Sequence, residues 1–423
     1  MTQDPRTNDH RAKRKRSPSH RFERKAKEIL LPLAYRVLSP RHQLPPLTDF
    51  SSGHLLASAR RILVIRQDFR LGNMVLVTPF LKELRRLAPQ AHIEVLIDSR
   101  FADVIAGAPW FDRLIIQHRK RMIYRPWEHP LHLAALRRGK WDLAFDLSNP
   151  DSFSSHGALI LTASGAKVRA GFYHPRAVST LNAPVVPPIS ECHYSLAPLL
   201  LLSAFGVTPN LPAIDLSPLL TPKHPNNANS IIINPGGRGD KRWPSERFLA
   251  LIKSLLKQKL VTPCELLLIG GPAEKDLIGN LATAAGGLRT KLSSTLPELV
   301  NALAGARLYI GCDAGPLHVA AAAGVPTLAL FLTSNPIRYA PLGSKHSTIL
   351  FGEGSRRWLR TSQNMALIST PESCLPWPDD FAEKLYSHRP EITSASAAGQ
   401  SDEEINFLTE RIKQTLRSQT TSL

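Results

Sequence analysis

Residues 307–330, RLYIGCDAGPLHVAAAAGVPTLAL, admit few folds. A short apolar run (308–311) ends in a tight polar turn (312–316), and small residues follow to position 323. Gly324 and Pro326 then punctuate the chain before a second apolar run reaches 330. This order predicts strand, turn, helix and next strand of an α/β sheet, with the alanines at 320–323 letting the helix lie close to the sheet. A helix opening directly off a strand leaves its first N–H groups unpaired and the positive end of its dipole exposed. The turn is therefore a ready anion site.

The same alternation occurs on both sides of a Pro- and Asn-rich stretch at 209–229. Before it, apolar runs at 61–66, 92–97, 113–116, 141–147 and 168–171 alternate with helical spacing at 74–87, 101–106, 129–138, 159–164 and 194–205. After it, strands at 230–234 and 264–269 alternate with helices at 245–258, up to 284, and at 296–303. The expected fold class is α/β, with two Rossmann-like doubly wound domains facing a cleft and the site at the carboxyl ends of the strands. The expected boundaries are a basic, flexible extension at 1–58, domains at 59–215 and 216–351, and an irregular segment with a terminal helix at 352–423. That helix, DEEINFLTERIKQTLR, carries Ile405, Leu408, Ile412 and Leu416 on one face.

Composition narrows the function classes. No apolar run approaches the roughly 18–20 residues that span a bilayer, and the N-terminus lacks the apolar core of a secretory signal, so the expected location is the cytoplasm. Four scattered cysteines form neither a disulfide framework nor a metal-ligand cluster. A formal net charge of +19 favours anionic partners. Twelve Lys/Arg against five Asp/Glu lie in residues 1–50, ahead of and within a short apolar helical stretch at 22–38, which suits peripheral contact with an anionic membrane. No basic module interleaved with aromatics is present, so specific nucleic-acid binding is unsupported.

Two further loops carry candidate chemistry. In the first, Gly236, Gly237 and Gly239 let backbone amides approach an anion while Arg238, Lys241 and Arg242 supply charge. It is not a dinucleotide fingerprint, because Arg242 stands where a glycine is needed, and it lacks the Gly-Lys-Ser/Thr of a Walker loop. This disfavours a Rossmann oxidoreductase. In the second, Gly-Gly-Pro-x-Glu ends a strand and places Glu274 in a first helical turn, where an acid also complements the helix dipole.

Asp313, Gly315, Pro316, His318, Ala320, Ala321, Ala322, Gly324 and Pro326 together closely resemble the nucleotide-sugar signature of glycosyltransferase family 9, the heptosyltransferases of lipopolysaccharide assembly. Asp240-Lys241-x-Trp243-Pro244 resembles the family's Lys-x-Trp-Pro element, whose lysine meets the donor near its phosphates. The resemblance spans about residues 61–350. It implies the GT-B architecture and inverting transfer, without metal or cofactor, of a sugar from a nucleotide-diphospho donor, typically ADP-heptose. The implied acceptor is an anionic glycolipid at the inner face of the cytoplasmic membrane. Gly236, Gly237 and the block Ala314, Gly315, Pro316 and Leu317 would wrap the diphosphate, and His318 would meet a phosphate oxygen. Asp313 would bind sugar hydroxyls and Glu274 the ribose diol. The terminal helix would cross back onto the first domain.

One departure concerns the chemistry. The turn Arg70-Leu71-Gly72-Asn73-Met74 is similar to the family's Gly-Asp element on the acceptor side, but the position of the proposed general base holds Asn73. An amide orients a hydroxyl and cannot take its proton. Asp68 is then the candidate substitute base. The alternative is a catalytically impaired sugar-nucleotide-binding or scaffold protein of the same fold.

Overall fold

The computed structural model describes residues 53–67, 70–118, 129–150, 152–177, 180–188, 192–216, 219–220, 229–351, 390, 392–394 and 401–420. Asp68, the basic segment through residue 52 and the segment 352–389 lie outside these residues.

The first sheet contains β1 (Arg61–Arg66), β2 (His92–Asp98), β3 (Arg113–Gln117), β4 (Leu143–Asp146), β5 (Val168–Phe172) and β6 (Ala183–Val185). All are parallel, in the order β3-β2-β1-β4-β5-β6. Helices α1 (His54–Ser58), α2 (Leu71–Val75), α3 (Thr78–Leu87), α4 (His129–Arg137), α5 (Ser155–Ala163) and α6 (Leu199–Ser203) accompany it. The strands are nearly continuous apolar runs because a parallel sheet is covered on both faces. Phe80 of α3, Phe145 of β4 and Phe205 form an edge-to-face series at 5.2 and 5.8 Å beneath the sheet. Each ring contributes about 1.5–3 kcal/mol by burial.

The second sheet contains β7 (Ile231–Asn234), β8 (Leu266–Gly270), β9 (Arg289–Leu292), β10 (Leu308–Cys312), β11 (Thr327–Phe331), β12 (His346–Leu350) and β13 (Ile392–Ser394). It is also wholly parallel, ordered β13-β12-β11-β10-β7-β8-β9. Helices α7 (Ser245–Lys257), α8 (Lys275–Ala284), α9 (Leu296–Leu303), α10 (Gly315–Ala322), α11 (Pro336–Tyr339) and α12 (Ser401–Thr420) complete it. The two α/β halves are those expected.

Several local differences have physical causes. The expected helix over 74–87 divides into α2 and α3, because Pro79 has no N–H to continue a helix and sits in the first turn of a new one. The helix expected at 101–106 is a 3₁₀ helix at Ser99–Val104. Strand β9 reads RTKL, and all four side chains are exposed, so no apolar pattern announces it.

The terminal helix takes a different place from the one expected. Ile405, Leu408, Ile412 and Leu416 of α12 pack into the core of the second sheet with Phe248, Leu251 and Leu255 of α7. Arg247 pairs with Glu404, Thr409 Oγ1 donates to Ser254 Oγ at 3.0 Å, and Gln419 Nε2 donates to the Arg307 carbonyl at 3.1 Å. Its apolar stripe thus finds its partner stripe on α7, beside its own sheet, and does not return to the first. No helix among the described residues is long and apolar enough to cross a membrane.

The two halves meet through α2 and α10. A Cβ on Gly72 would lie 2.4 Å from His318 Cδ2, and one on Gly315 would lie 3.0 Å from Leu71 Cβ, so both glycines permit a close approach of backbones. The segment before α6 adds struts: Tyr194 N donates to the Arg338 carbonyl at 2.8 Å, and His193 Nε2 lies 2.8 Å from the Ala340 carbonyl. The carbonyl makes Nε2 the donor, and burial pushes the His193 pKa down to about 3, keeping the ring neutral.

Candidate active site

Each sheet reverses its strand order once, between β1 and β4 in the first and between β7 and β10 in the second. Ligands of doubly wound sheets bind outside the carboxyl ends of the strands at such points. The residues that cap these four strands therefore define the site.

At the second reversal, β7 ends in Asn234 and leads into the glycine-rich loop. Gly236 N donates to Asn234 Oδ1 at 2.8 Å, and a Cβ on Gly236 would meet that oxygen at 2.7 Å and Glu274 Cγ at 3.4 Å. Glu274 is thus packed against the loop. Its Oε2 also accepts from Gly271 N at 2.9 Å, and its own N donates to the Gly271 carbonyl at 3.0 Å. Trp243 anchors the far end of the loop. It is fully buried, stacked on Phe351 at 5.4 Å and edge-on to Phe248 at 4.9 Å, and its backbone N–H points at Cys312 Sγ, 3.3 Å away. That anchor holds Lys241, two residues earlier, over the end of β10.

There Lys241 Nζ lies 2.6 Å from Asp313 Oδ2, and His318 Nε2 lies 3.5 Å from Asp313 Oδ1. The Asp313 carboxylate is 7 % exposed, whereas Lys241 keeps a third of its side chain in solvent. Burial raises the Asp313 pKa, but the His318 hydrogen bond and the Lys241 charge outweigh it and hold the carboxyl well below the usual aspartate range. Lys241 has three donors and spends one on Asp313, leaving two for an anion. Immediately after Asp313, Ala314 is the extended N-cap of α10, with Gly315, Pro316 and Leu317 in the first turn. The Lys241 ammonium and the buried Asp313 carboxylate thus stand beside the first turn of α10. Such an arrangement can hold a diphosphate and a sugar hydroxyl together.

At the first reversal, β1 ends in Arg66 and β4 in Asp146. The Arg66 guanidinium is buried; Nη1 donates to the Leu147 carbonyl and Nη2 to Tyr194 Oη at 3.1 Å and to the Asn73 carbonyl at 3.4 Å. Asn73 is itself buried, on α2 beside Gly72, while Arg70 is the exposed N-cap of that helix. The Tyr194 ring has Arg66 and Arg338 over it at 5.6 and 5.7 Å and lies 5.3 Å from Tyr339. Lys241 sits 5.9 Å above Tyr339. This relay joins the two reversals, and motif reading alone does not find it. The signal available in sequence was a charged residue closing each buried strand, in RILVIR and in LAFD.

A family model described as glycosyltransferase family 9 (heptosyltransferase) matches residues 132–366. Lipopolysaccharide heptosyltransferase 3 of Escherichia coli is 25% identical over 329 residues, covering 74% of this chain and 94% of that protein. Among solved structures, E. coli heptosyltransferase WaaC with ADP has a TM-score of 0.59 at 18% identity, covering 72% of this chain and 98% of its own. E. coli ADP-heptose lps heptosyltransferase II has a TM-score of 0.57 at 18% identity, covering 85% of this chain and 99% of its own. These likenesses identify the paired parallel sheets as the GT-B fold. With over half its length matched by the family model, and that match carrying the Lys241 loop and the α10 turn, the chain belongs to glycosyltransferase family 9, the heptosyltransferases.

Proposed function

We propose that this chain transfers heptose from ADP-heptose, with inversion, to an anionic glycolipid of the lipopolysaccharide core at the inner face of the cytoplasmic membrane. In this reading residues 59–215 form the acceptor side and 216–351 the donor side. The observation that carries it is the Lys241–Asp313 pair at the mouth of α10. Two remaining Lys241 donors and the α10 amides meet the diphosphate and stabilise its charge as the C1–O bond breaks. Asp313, an acceptor-only group, takes hydrogen bonds from donor-sugar hydroxyls, and Glu274 does so from the ribose diol. His318 meets a phosphate oxygen. Arg70 and Gly72 line the acceptor side, and the excess positive charge draws an anionic glycolipid. The solved relative holding ADP supports adenine as the base.

A thermal-shift panel of ADP-, UDP- and GDP-sugars tests the donor. ADP-heptose at a hundredfold excess over Kd should add roughly 2.7 kcal/mol and raise the melting temperature selectively. A flat response to every ADP-sugar contradicts the reading, and binding without single-turnover transfer returns the binding-protein alternative.

A further inference from the structure

A partly open recess lies outside the carboxyl ends of β4 and β5, with Asp146, Ser148, Asn149, Ser154 and His174 in its wall and the Phe153–His174 stack (5.5 Å) along one side. It shares Ser148, Pro150 and Phe172 with a smaller hollow lined by Arg66 and Tyr194, two members of the relay that leads to Lys241. Hydroxyls, an amide, a stacked ring pair and one carboxylate suit a sugar.

The strand ends of the first sheet supply two carboxylates among the described residues, Asp98 and Asp146. Asp98 is occupied: both its oxygens face Arg100 at 2.9 Å. Asp146 has no ion pair among the described residues. Ser148 N and Oγ donate to its Oδ1 at 3.0 and 2.6 Å, which fixes the carboxylate in the wall of the recess. It also stands across the strand reversal from Arg66, the residue that grips the Asn73 carbonyl.

Resting on the glycosyl-transfer reading above, we propose that Asp146 is the catalytic base that the Asn73 position does not supply, and that the recess seats the sugar ring of the acceptor. Asp146 Oδ2 takes the proton of the acceptor hydroxyl as that oxygen bonds to C1 of the donor sugar. The C1–O bond to the diphosphate breaks, and the nucleoside diphosphate leaves with the electron pair. Desolvation raises the Asp146 pKa, and the Ser148 bonds and the Arg66 charge do not cancel it, which moves the carboxylate toward the basicity a general base needs. Among the described residues, the charged and titratable groups near it are Arg66 from β1 and His174 beyond β5. Burial and Arg176 push the His174 pKa down, and His156 of α5 turns to Gln117 Oε1 at 3.3 Å.

The test uses the full chain, ADP-heptose and core glycolipid. Asp146→Asn should lower kcat by about 10²- to 10⁴-fold and remove the acidic limb of its pH profile, with ADP affinity retained and no loss of melting temperature. Asp146→Glu should restore part of the rate. An Asp146→Asn enzyme with wild-type rate and pH limb overturns the proposal, as does an Asp68→Asn enzyme that loses both. A second readout needs no turnover: the ¹³C-carboxyl signal absent from Asp146→Asn should titrate above the usual aspartate range and shift on adding core glycolipid. A normal midpoint with no shift overturns the assignment even if the enzyme is active, whereas a wild type that neither binds ADP-sugars nor transfers overturns the functional reading instead.

Discussion

The two strand reversals have the same topology but opposite electrostatics. At the β7/β10 reversal the acid is paired before any ligand arrives, with Lys241 on one oxygen of Asp313 and His318 on the other. At the β1/β4 reversal the acid has no ion pair among the described residues, and its nearest cation, Arg66, is spent on carbonyls and Tyr194. A donor carries its own negative charge, so its site needs a cation held in place by an anion. A hydroxyl nucleophile brings a proton, so its site needs a carboxylate that is costly to keep ionised. The difference fits the division of labour proposed above, with the donor at the second reversal and the acceptor at the first.

The largest effect should come from breaking the paired side. Lys241→Ala should reduce transfer by at least about 10²- to 10³-fold and weaken ADP binding, measured by single-turnover kinetics and calorimetry. Next is the contact that brings the reversals together. Gly72→Ala drives a methyl into the His318 ring and should lower stability by about 1–3 kcal/mol, read from urea melts. Gly279 lies inside α8, and a methyl added there would meet nothing within 4 Å. Gly279→Ala should therefore do the opposite, gaining about 0.5–1 kcal/mol.

The aspartates should differ in sign with pH. The Asp313 carboxyl is held low, so its contribution is present above the ordinary aspartate pKa of about 3.9 and is lost as pH falls from there toward the folded value. The Asp146 carboxyl is held high, so its cost appears as pH rises through the window above about 3.9, up to the folded value. Urea melts across pH should show Asp313→Asn losing stability at neutral pH and Asp146→Asn gaining a smaller amount. Equal slopes for the two variants would remove the electrostatic contrast.

The proposed donor side could be assembled from sequence because its residues are local. Asp313, Gly315 and His318 sit within one turn and helix, and Lys241 is fixed by Trp243 two positions away. The proposed acceptor side could not, because it is assembled from strand ends distant in the chain. Arg66, Asp146 and Tyr194 become neighbours only once β1 pairs with β4 and the segment before α6 folds back. The misplacement of α12 has a related cause. The spacing of Ile405, Leu408, Ile412 and Leu416 predicts an apolar stripe but not which of two sheets offers the matching groove.

Calorimetric titration of ADP into wild type, Lys241→Ala and Asp146→Asn tests the separation of donor and acceptor chemistry most directly. The account predicts at least a tenfold loss of affinity, about 1.4 kcal/mol, for Lys241→Ala and none for Asp146→Asn. Equal losses, or a loss confined to Asp146→Asn, would contradict it.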